Sequence, residues 1–314
     1  MGRRYCLISP CRNEEEFCRR TLDSVVEQTE QPALWVIVDD GSTDATPQIL
    51  ADYAAKHDWI QVVTRTDRGE RAVGPGVIQA FYAGYDTIDP EAFDYLCKLD
   101  LDLELPRGYF AELMDRMEQN PRIGCCSGKP YFPGPSNTAK TFDGELISEG
   151  CGDENAIGAS KFYRSACFRQ IGGFVRQVMW DGIDGHRCRM KGWIAVSWDD
   201  PELRFLHLRP MGSSQKGIVT GRLRHGFGQY FMGTGLGYMT ASALYRMAKR
   251  PFVVGGAAMW WGYVKSALEG VERYDDPKLR EFVHEYHKSC LLKGKARATA
   301  ELNRRQAAVW NPTL

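Results

Sequence analysis

The chain has 314 residues, enough for one large α/β domain, or for one domain with an added helical part, with a real core in either case. Its 40 Lys and Arg balance 40 Asp and Glu, which excludes an overall basic field for nucleic acid and an acidic disordered tail. The 10 cysteines include no Cys-x-x-Cys pair, so they read as structural thiols in a reducing cytoplasm, without disulfides or a zinc site. The first residues run into a short apolar strand rather than a signal-type segment, and no apolar run approaches the ~20 residues needed to span a bilayer. The expectation is a soluble or peripheral cytoplasmic protein.

Residues 5–9 read as a buried strand ended by Pro10. Asn13 is placed to cap a helix whose first turn, Glu14-Glu15-Glu16, suits the positive end of the helix dipole, with Phe17, Thr21 or Leu22, Val25 and Val26 recurring at helical spacing. Residues 34–38 are a second strand, 46–56 a helix, 60–64 a third strand and 76–88 another helix. A fourth strand, 95–99, ends on Asp100, and Pro106 opens a helix where its missing N–H is harmless. This alternation predicts a mostly parallel, Rossmann-like sheet flanked by helices.

From 124 to 149 the pattern loosens into Gly, Pro and Ser, as expected of a flexible substrate loop. A strand at 156–163, helices at 164–171 and 183–191, and strands at 194–198 and 203–207 then close the sheet. Beyond Arg209 glycines interleave with aromatics, which places a boundary near 215, between a first part, 1–215, and a C-terminal helical extension, 216–314. Leu236, Met239, Ala243, Leu244 and Met247, beside Arg246 and Lys249, suit either an amphipathic basic helix at a membrane surface, with Trp260-Trp261 at headgroup level, or an ordinary core helix. The stretch from Asp276 reads as polar helix, with Arg297, Arg304 and Arg305 near an end expected to fray.

Two acidic clusters stand directly after apolar strands, Asp39-Asp40-Gly41-Ser42-Thr43-Asp44 and Asp100-Leu101-Asp102. Ligands of open α/β sheets bind beyond the carboxyl ends of the strands, and paired oxygen ligands there suit a divalent cation shared with two phosphates. Each cluster also fits a solvated turn that caps the next helix.

The series Ser9-Pro10-Cys11-Arg12-Asn13-Glu14-Glu15, Ser24-Val25-Val26-Glu27-Gln28-Thr29 and Val38-Asp39-Asp40-Gly41-Ser42-Thr43-Asp44 resembles the family 2 glycosyltransferases of GT-A fold. Gly172-Gly173-Phe174, Trp180-Asp181-Gly182-Ile183-Asp184 and Lys191-Gly192-Trp193 are similar to later motifs of that family, with Trp180 where Glu is usual and Tyr82 where an upstream helix usually has Asn. The resemblance covers residues 5 to about 210, which implies 1–215 as the nucleotide-sugar-binding and catalytic domain and leaves 216–314 as a helical acceptor or membrane-associating region.

It implies that Pro10, Arg12 and Asp40 line the base pocket, with Glu14 also binding the nucleotide and Gly69 and Arg71 in a loop over the nucleotide. It implies Asp100 at ribose and phosphate, and Asp102, Asp100 and His207 around Mn2+ or Mg2+, imidazole favouring manganese. Arg209, Lys216 and Arg222 would neutralise the leaving diphosphate. Asp181 aligns with the catalytic base, since a sugar hydroxyl needs a carboxylate to take its proton; the same residue type also caps helices. Asp184 is the rival base or an acceptor contact, and His186 a surface or acceptor-side residue.

The implied activity is inverting, metal-dependent transfer from a nucleoside-diphosphate sugar, with uracil as default base and thymine or guanine as alternatives, to a glycan or lipid-linked acceptor in bacterial surface polysaccharide synthesis. A membrane surface is a further partner, at the inner face of the cell membrane. A sugar nucleotidyltransferase and a non-catalytic nucleotide-sugar-binding protein are the competing readings. A dehydrogenase is disfavoured, because Gly226-Phe227-Gly228 does not follow a strand of the first βαβ unit.

Overall fold

The computed structural model describes residues 3–67, 69, 74–133, 146–209, 218–249 and 252–312. In chain order β1 (Tyr5–Cys11), α1 (Cys18–Val26), β2 (Leu34–Asp39), α2 (Thr46–Ala54), β3 (Ile60–Thr64), α3 (Pro75–Tyr85) and β4 (Tyr95–Leu99) form the expected alternation. Then come β5 (Leu103–Glu104), α4 (Tyr109–Gln119), β6 (Ile123–Ser127), β7 (Lys129–Pro133) and β8 (Leu146–Ser148). They are followed by β9 (Ser160–Arg164), α5 (Ser165–Gln170), α6 (Trp180–Met190), β10 (Ile194–Ser197) and β11 (Arg204–His207). The C-terminal part is helical: α7 (Ile218–Met232), α8 (Leu236–Met247), α9 (Val254–Leu268), α10 (Pro277–Lys293) and α11 (Lys295–Arg305).

The main sheet has 7 strands among the described residues, ordered β10-β6-β9-β4-β1-β2-β3. Neighbours pair in parallel except β9, which runs antiparallel to β4 and β6. β1, β2 and β4 are buried almost throughout, which is why their sequences are continuous apolar runs rather than alternating ones. One core lies on each face: Leu7, Trp35, Leu99 and Phe162 on one side, Ile8, Val36, Phe81 and Tyr163 on the other.

Several expectations need correction. Residues 203–207 do not close the main sheet; β11 lies in a second sheet ordered β5-β11-β7-β8. That sheet is built partly from the stretch expected to be an irregular loop, where β6, β7 and β8 are strands. Gly128 marks the passage between the two sheets, since a Cβ there would lie 1.7 Å from the Leu203 carbonyl oxygen. Its glycine reports a close backbone approach, which composition alone reads as looseness.

The first helix starts at Cys18, not in the Glu14 turn. Asn13 sits at φ 52° and caps nothing of its own helix; its Oδ1 accepts from Thr43 N–H at 2.8 Å instead. Likewise α4 starts at Tyr109, three residues beyond Pro106, whose carbonyl accepts from the Tyr109 N–H at 3.0 Å and from the Gln28 side chain at 2.7 Å. The helix expected from 183 begins at Trp180. His186 is buried against His287 and Tyr286 rather than exposed. The C-terminal end is fastened: Arg122 donates to the Asn303 carbonyl at 2.7 Å, and the Trp310 ring packs edge-on to Trp193 at 5.7 Å. The boundary placed near 215 lies outside the described residues.

Candidate active site

Parallel pairing of β1 with β2 sets Pro10 beside Val38 and Cys11 beside Asp39, so the loops that follow both strands meet beyond the sheet. They are stitched together: Ser42 N–H donates to Asp39 Oδ1 at 2.9 Å, and Asn13 N–H to Ser42 Oγ at 2.9 Å. Gly41 takes φ 76°, and a Cβ on it would lie 2.5 Å from Asp67 Cα, so only glycine lets the third chain segment close over this turn. Arg12 spans the two, donating to the Asp40 carbonyl at 2.6 Å and to Asp67 Oδ1 at 2.5 Å. Arg65 Nη1 meets Asp40 Oδ1 at 2.6 Å. The Gly69 N–H, at 2.8 Å, and Arg12 hold the Asp67 carboxyl below its usual range. Pro10, Arg12 and Asp40 are therefore brought together as expected; Arg71 lies outside the described residues.

A second cluster forms where β4 and β11 end. Asp102 Oδ2 accepts from Arg209 Nε at 2.6 Å and faces His207 Nε2 at 3.6 Å, while His207 Nδ1 lies 3.2 Å from Glu149 Oε1. Another Arg209 nitrogen donates to Glu14. Burial disfavours the charge on Asp102, but His207 and Arg209 outweigh it and hold the carboxyl well below its ordinary range. Burial also opposes the imidazolium of His207, yet Asp102 and Glu149 carry its pKa up to about 10. Glu149, within the stretch read as a loop, was missed; a lone Glu after a weak strand gives no sequence signal.

Asp102 Oδ1 is buried and has no hydrogen-bond partner. Such an oxygen, with a second carboxylate and an imidazole nearby, suits a hard divalent cation. Among the described residues no three His, Cys, Asp or Glu groups are arranged to hold an ion alone. The donor set therefore fits an open site that phosphate oxygens complete.

Asp100 stands between this cluster and the next. Its N–H donates to the Ala159 carbonyl at 2.8 Å. Burial raises its carboxyl pKa against the pull of Lys98, which bonds Asp100 and donates to the Gly158 carbonyl at 2.9 Å. Lys98 also lies 5.2 Å from the centre of the Trp180 ring, so the residue found in place of the usual Glu serves as a cation's platform.

Asp181 occupies the first turn of α6 and makes no side-chain cap bond. The preceding Met179 sits at φ 62°, a left-handed conformation that costs roughly 1–2 kcal/mol for a non-glycine residue. The Asp181 carbonyl is fixed by Asn155 Nδ2 at 2.8 Å and Lys161 Nζ at 2.7 Å. Its half-buried carboxylate makes no hydrogen bond or ion pair among the described residues. A Cβ on Gly158 would be 3.0 Å from Asp181 Oδ2, so the 158–159 segment separates Asp181 from Asp100 by little more than one backbone.

Asp184, three residues on, is occupied. It is 1% exposed, paired with Lys161 and bonded by the Tyr163 hydroxyl. Arg222 is on α7, where burial and Arg246 lower its pKa and its Nε has no hydrogen-bond partner; Lys216 lies outside the described residues. Lys98, Lys161 and Asn155 complete the surroundings of Asp181, and no local motif announces them.

The Glycosyl transferase family 2 model matches residues 6–172. Over 128 residues the chain is 29% identical to the poly-beta-1,6-N-acetyl-D-glucosamine synthase of Staphylococcus epidermidis, covering 40% of this chain and 28% of that protein. Over 82 residues it is 37% identical to the uncharacterized protein Mb1547 of Mycobacterium bovis, covering 25% and 24%. The chain thus spans only about a quarter of the length of these relatives.

Among solved structures, the Pyrobaculum calidifontis mannosyltransferase PcManGT with GDP-Man and Mn2+ aligns at TM-score 0.50 and 16% identity, covering 98% of this chain and 86% of that one. Staphylococcus aureus TarS 1–349 with UDP-GlcNAc aligns at TM-score 0.53 and 14% identity, covering 97% and 90%. The fold is therefore of GT-A type. With more than half its length under the family model and its strand-end acids gathered at the open edge of such a sheet, the chain belongs to glycosyl transferase family 2.

Proposed function

We propose that the protein is an inverting, metal-dependent glycosyltransferase that moves a sugar from a UDP-sugar to a hydroxyl of a glycan or lipid-linked acceptor, in surface polysaccharide synthesis. The observation that carries this reading is Asp181: a carboxylate with no partner among the described residues, held on a strained helix start one backbone away from Asp100. In this reading the acceptor oxygen attacks the anomeric carbon as the bond to the diphosphate breaks, and Asp181 takes the hydroxyl proton. No covalent intermediate arises, so the configuration inverts.

Pro10, Arg12 and Asp40 hold the base, with Glu14 fixing Arg209 behind it, and Asp100 faces the ribose. Asp102, Asp100 and His207 would hold Mn2+ or Mg2+, which supplies charge neutralisation for the departing diphosphate. Arg209 adds positive charge on that side, with Lys216 and Arg222 completing it. Asp184 serves by fixing Lys161 and, through it, the Asp181 carbonyl. Residues 1–215 act as the donor and catalytic domain, and 216–314 meet the acceptor. Among the described residues no helix is long and apolar enough to cross a membrane, and we place the enzyme on the cytoplasmic side, at the inner membrane face.

The test is release of UDP from UDP-GlcNAc, and of GDP from GDP-mannose, with and without Mn2+ over an acceptor panel, with product anomeric configuration read by NMR. Metal-dependent release with inversion supports the reading. Nucleotide binding without turnover on any acceptor favours a nucleotide-sugar-binding protein, and pyrophosphorolysis of the donor favours a nucleotidyltransferase.

A further inference from the structure

Helix α9 is built inside out. Gly255, Gly256, Met259, Gly262, Tyr263 and Ser266 face inward, while Trp260, Trp261 and Leu268 face solvent, Leu268 being 75% exposed. Backbone contact demands the small residues: a Cβ on Gly262 would lie 2.2 Å from the Leu223 carbonyl oxygen of α7, and one on Gly256 2.3 Å from that of Ala243 in α8. Close helix approach uses the glycine face, and the large apolar side chains are left outside. A helix that is apolar all round is normally covered on every side.

The patch continues onto α8. Trp260 Nε1 donates to Thr240 Oγ1 at 3.2 Å, one turn from the exposed Leu244. Tyr245 beside it carries the Lys249 ammonium 5.0 Å from its ring centre. The exposed Val253 is tied to the same helix end through its N–H to the Met247 carbonyl at 3.0 Å. Between Glu202 and Glu269 the sequence contains no Asp or Glu but nine Lys and Arg, in a chain with no net charge.

We propose that the outer face of α9, with the last turn of α8 and the 252–254 turn, docks on the headgroup layer of an anionic lipid bilayer. Exposed tryptophans beside aliphatic side chains suit the interfacial region, where one end of the ring is dry and the other wet. Arg246 in the last turn of α8, Lys249 just beyond it and Lys265 on α9, which lies 3.7 Å from Glu269, supply the positive charge that anionic headgroups attract. A second copy of this chain is a poorer occupant, since it would set one positive face against another. At 15 residues α9 lies on the surface rather than crossing it. The inference deepens the inner-membrane placement proposed above and is tested apart from the reaction, because Lys249, Trp260, Trp261, Lys265 and Leu268 take no part in the proposed chemistry.

The test is flotation of the full chain with phosphatidylcholine vesicles, with and without phosphatidylglycerol, at low and high salt. The variants are Trp261→Ser with Leu268→Ser, and Lys249→Gln with Lys265→Gln. These positions are exposed, so the fold should persist, checked by an unchanged melting temperature. Expected are binding to anionic but not neutral vesicles, weakening with salt, and a loss of roughly tenfold in each double variant. Failure of the wild type to float with anionic vesicles overturns the proposal. So does undiminished binding by the variants, or self-association in vesicle-free solution that the Trp261 and Leu268 changes abolish.

Discussion

Arg209 Nε donates to Asp102 Oδ2 at 2.6 Å while the other oxygen of the same carboxylate is buried without a partner. Asp102 thus meets a fixed cation on one side and presents a bare oxygen on the other. Because Arg209 also reaches Glu14, Arg209→Met leaves two buried acids without it. A loss of about 2 kcal/mol is expected, the scale of hydrogen bonds to charged groups. Millimolar Mn2+ should restore part of it by replacing the lost counter-charge, so the melting temperature of the variant should rise more with Mn2+ than that of the wild type. Equal shifts would remove Asp102 from the metal assignment.

Asp181→Asn keeps shape and hydrogen-bonding reach but loses the base. Loss of a positioned proton acceptor costs typically 10²–10⁴-fold, so kcat should fall by about that factor while UDP binding, followed by thermal shift, stays within about twofold. Retained turnover would move the base elsewhere.

Lys161 and Asp184 pair at 0% and 1% exposure. Burial disfavours the ammonium, but Asp184 outweighs this and raises its pKa. Removing one partner strands a buried charge, at about 3–5 kcal/mol, whereas replacing both with apolar residues recovers much of the loss. Lys161→Met and Asp184→Leu should each lower the denaturant midpoint more than the double variant does. The double variant should still be slower, because the Asp181 carbonyl has lost the Lys161 ammonium; a fully active double variant would falsify that positioning role.

His287 lies flat on Tyr238, ring centres 3.8 Å apart, and burial, aided by Lys295 and His284, depresses its pKa to about 3. His225 is depressed to about 4 by burial and by Arg222 and Arg246. Above the ordinary value of about 6.5 both folded and unfolded forms are neutral and nothing depends on pH. Below it the unfolded chain takes up protons that the fold refuses, so stability declines as pH falls from about 6.5 toward these depressed values. Each group adds a slope of about 1.4 kcal/mol per pH unit. His287→Phe, which keeps the stack, should flatten the melting-temperature profile between about pH 6 and 4; an unchanged profile would show that this imidazole is protonated in the fold.

The alternation from β1 to β4 was legible in the sequence because those strands are buried on both faces and their helices carry apolar residues at helical spacing. Asp40, Asp100 and Asp102 were legible for the same local reason: each follows an apolar strand directly. The second sheet was not: β11 was legible as a strand but not as a neighbour of β5 and β7, β7 and β8 lie in a stretch of loop-like composition, and Gly128 looks like part of it until the Leu203 carbonyl is set beside it.

By itself, then, the sequence determined which strand ends carry acid and which family the motifs resemble, because those features are written within a few residues of one another. Only the tertiary structure decided how each carboxylate is used. Asp102 and Glu14 share one arginine from far along the chain, Asp184 is occupied by Lys161, and Asp181 is left without a partner among the described residues. A carboxylate's role follows from the groups that chain folding brings within about 3 Å of it, and residue order does not encode that distance.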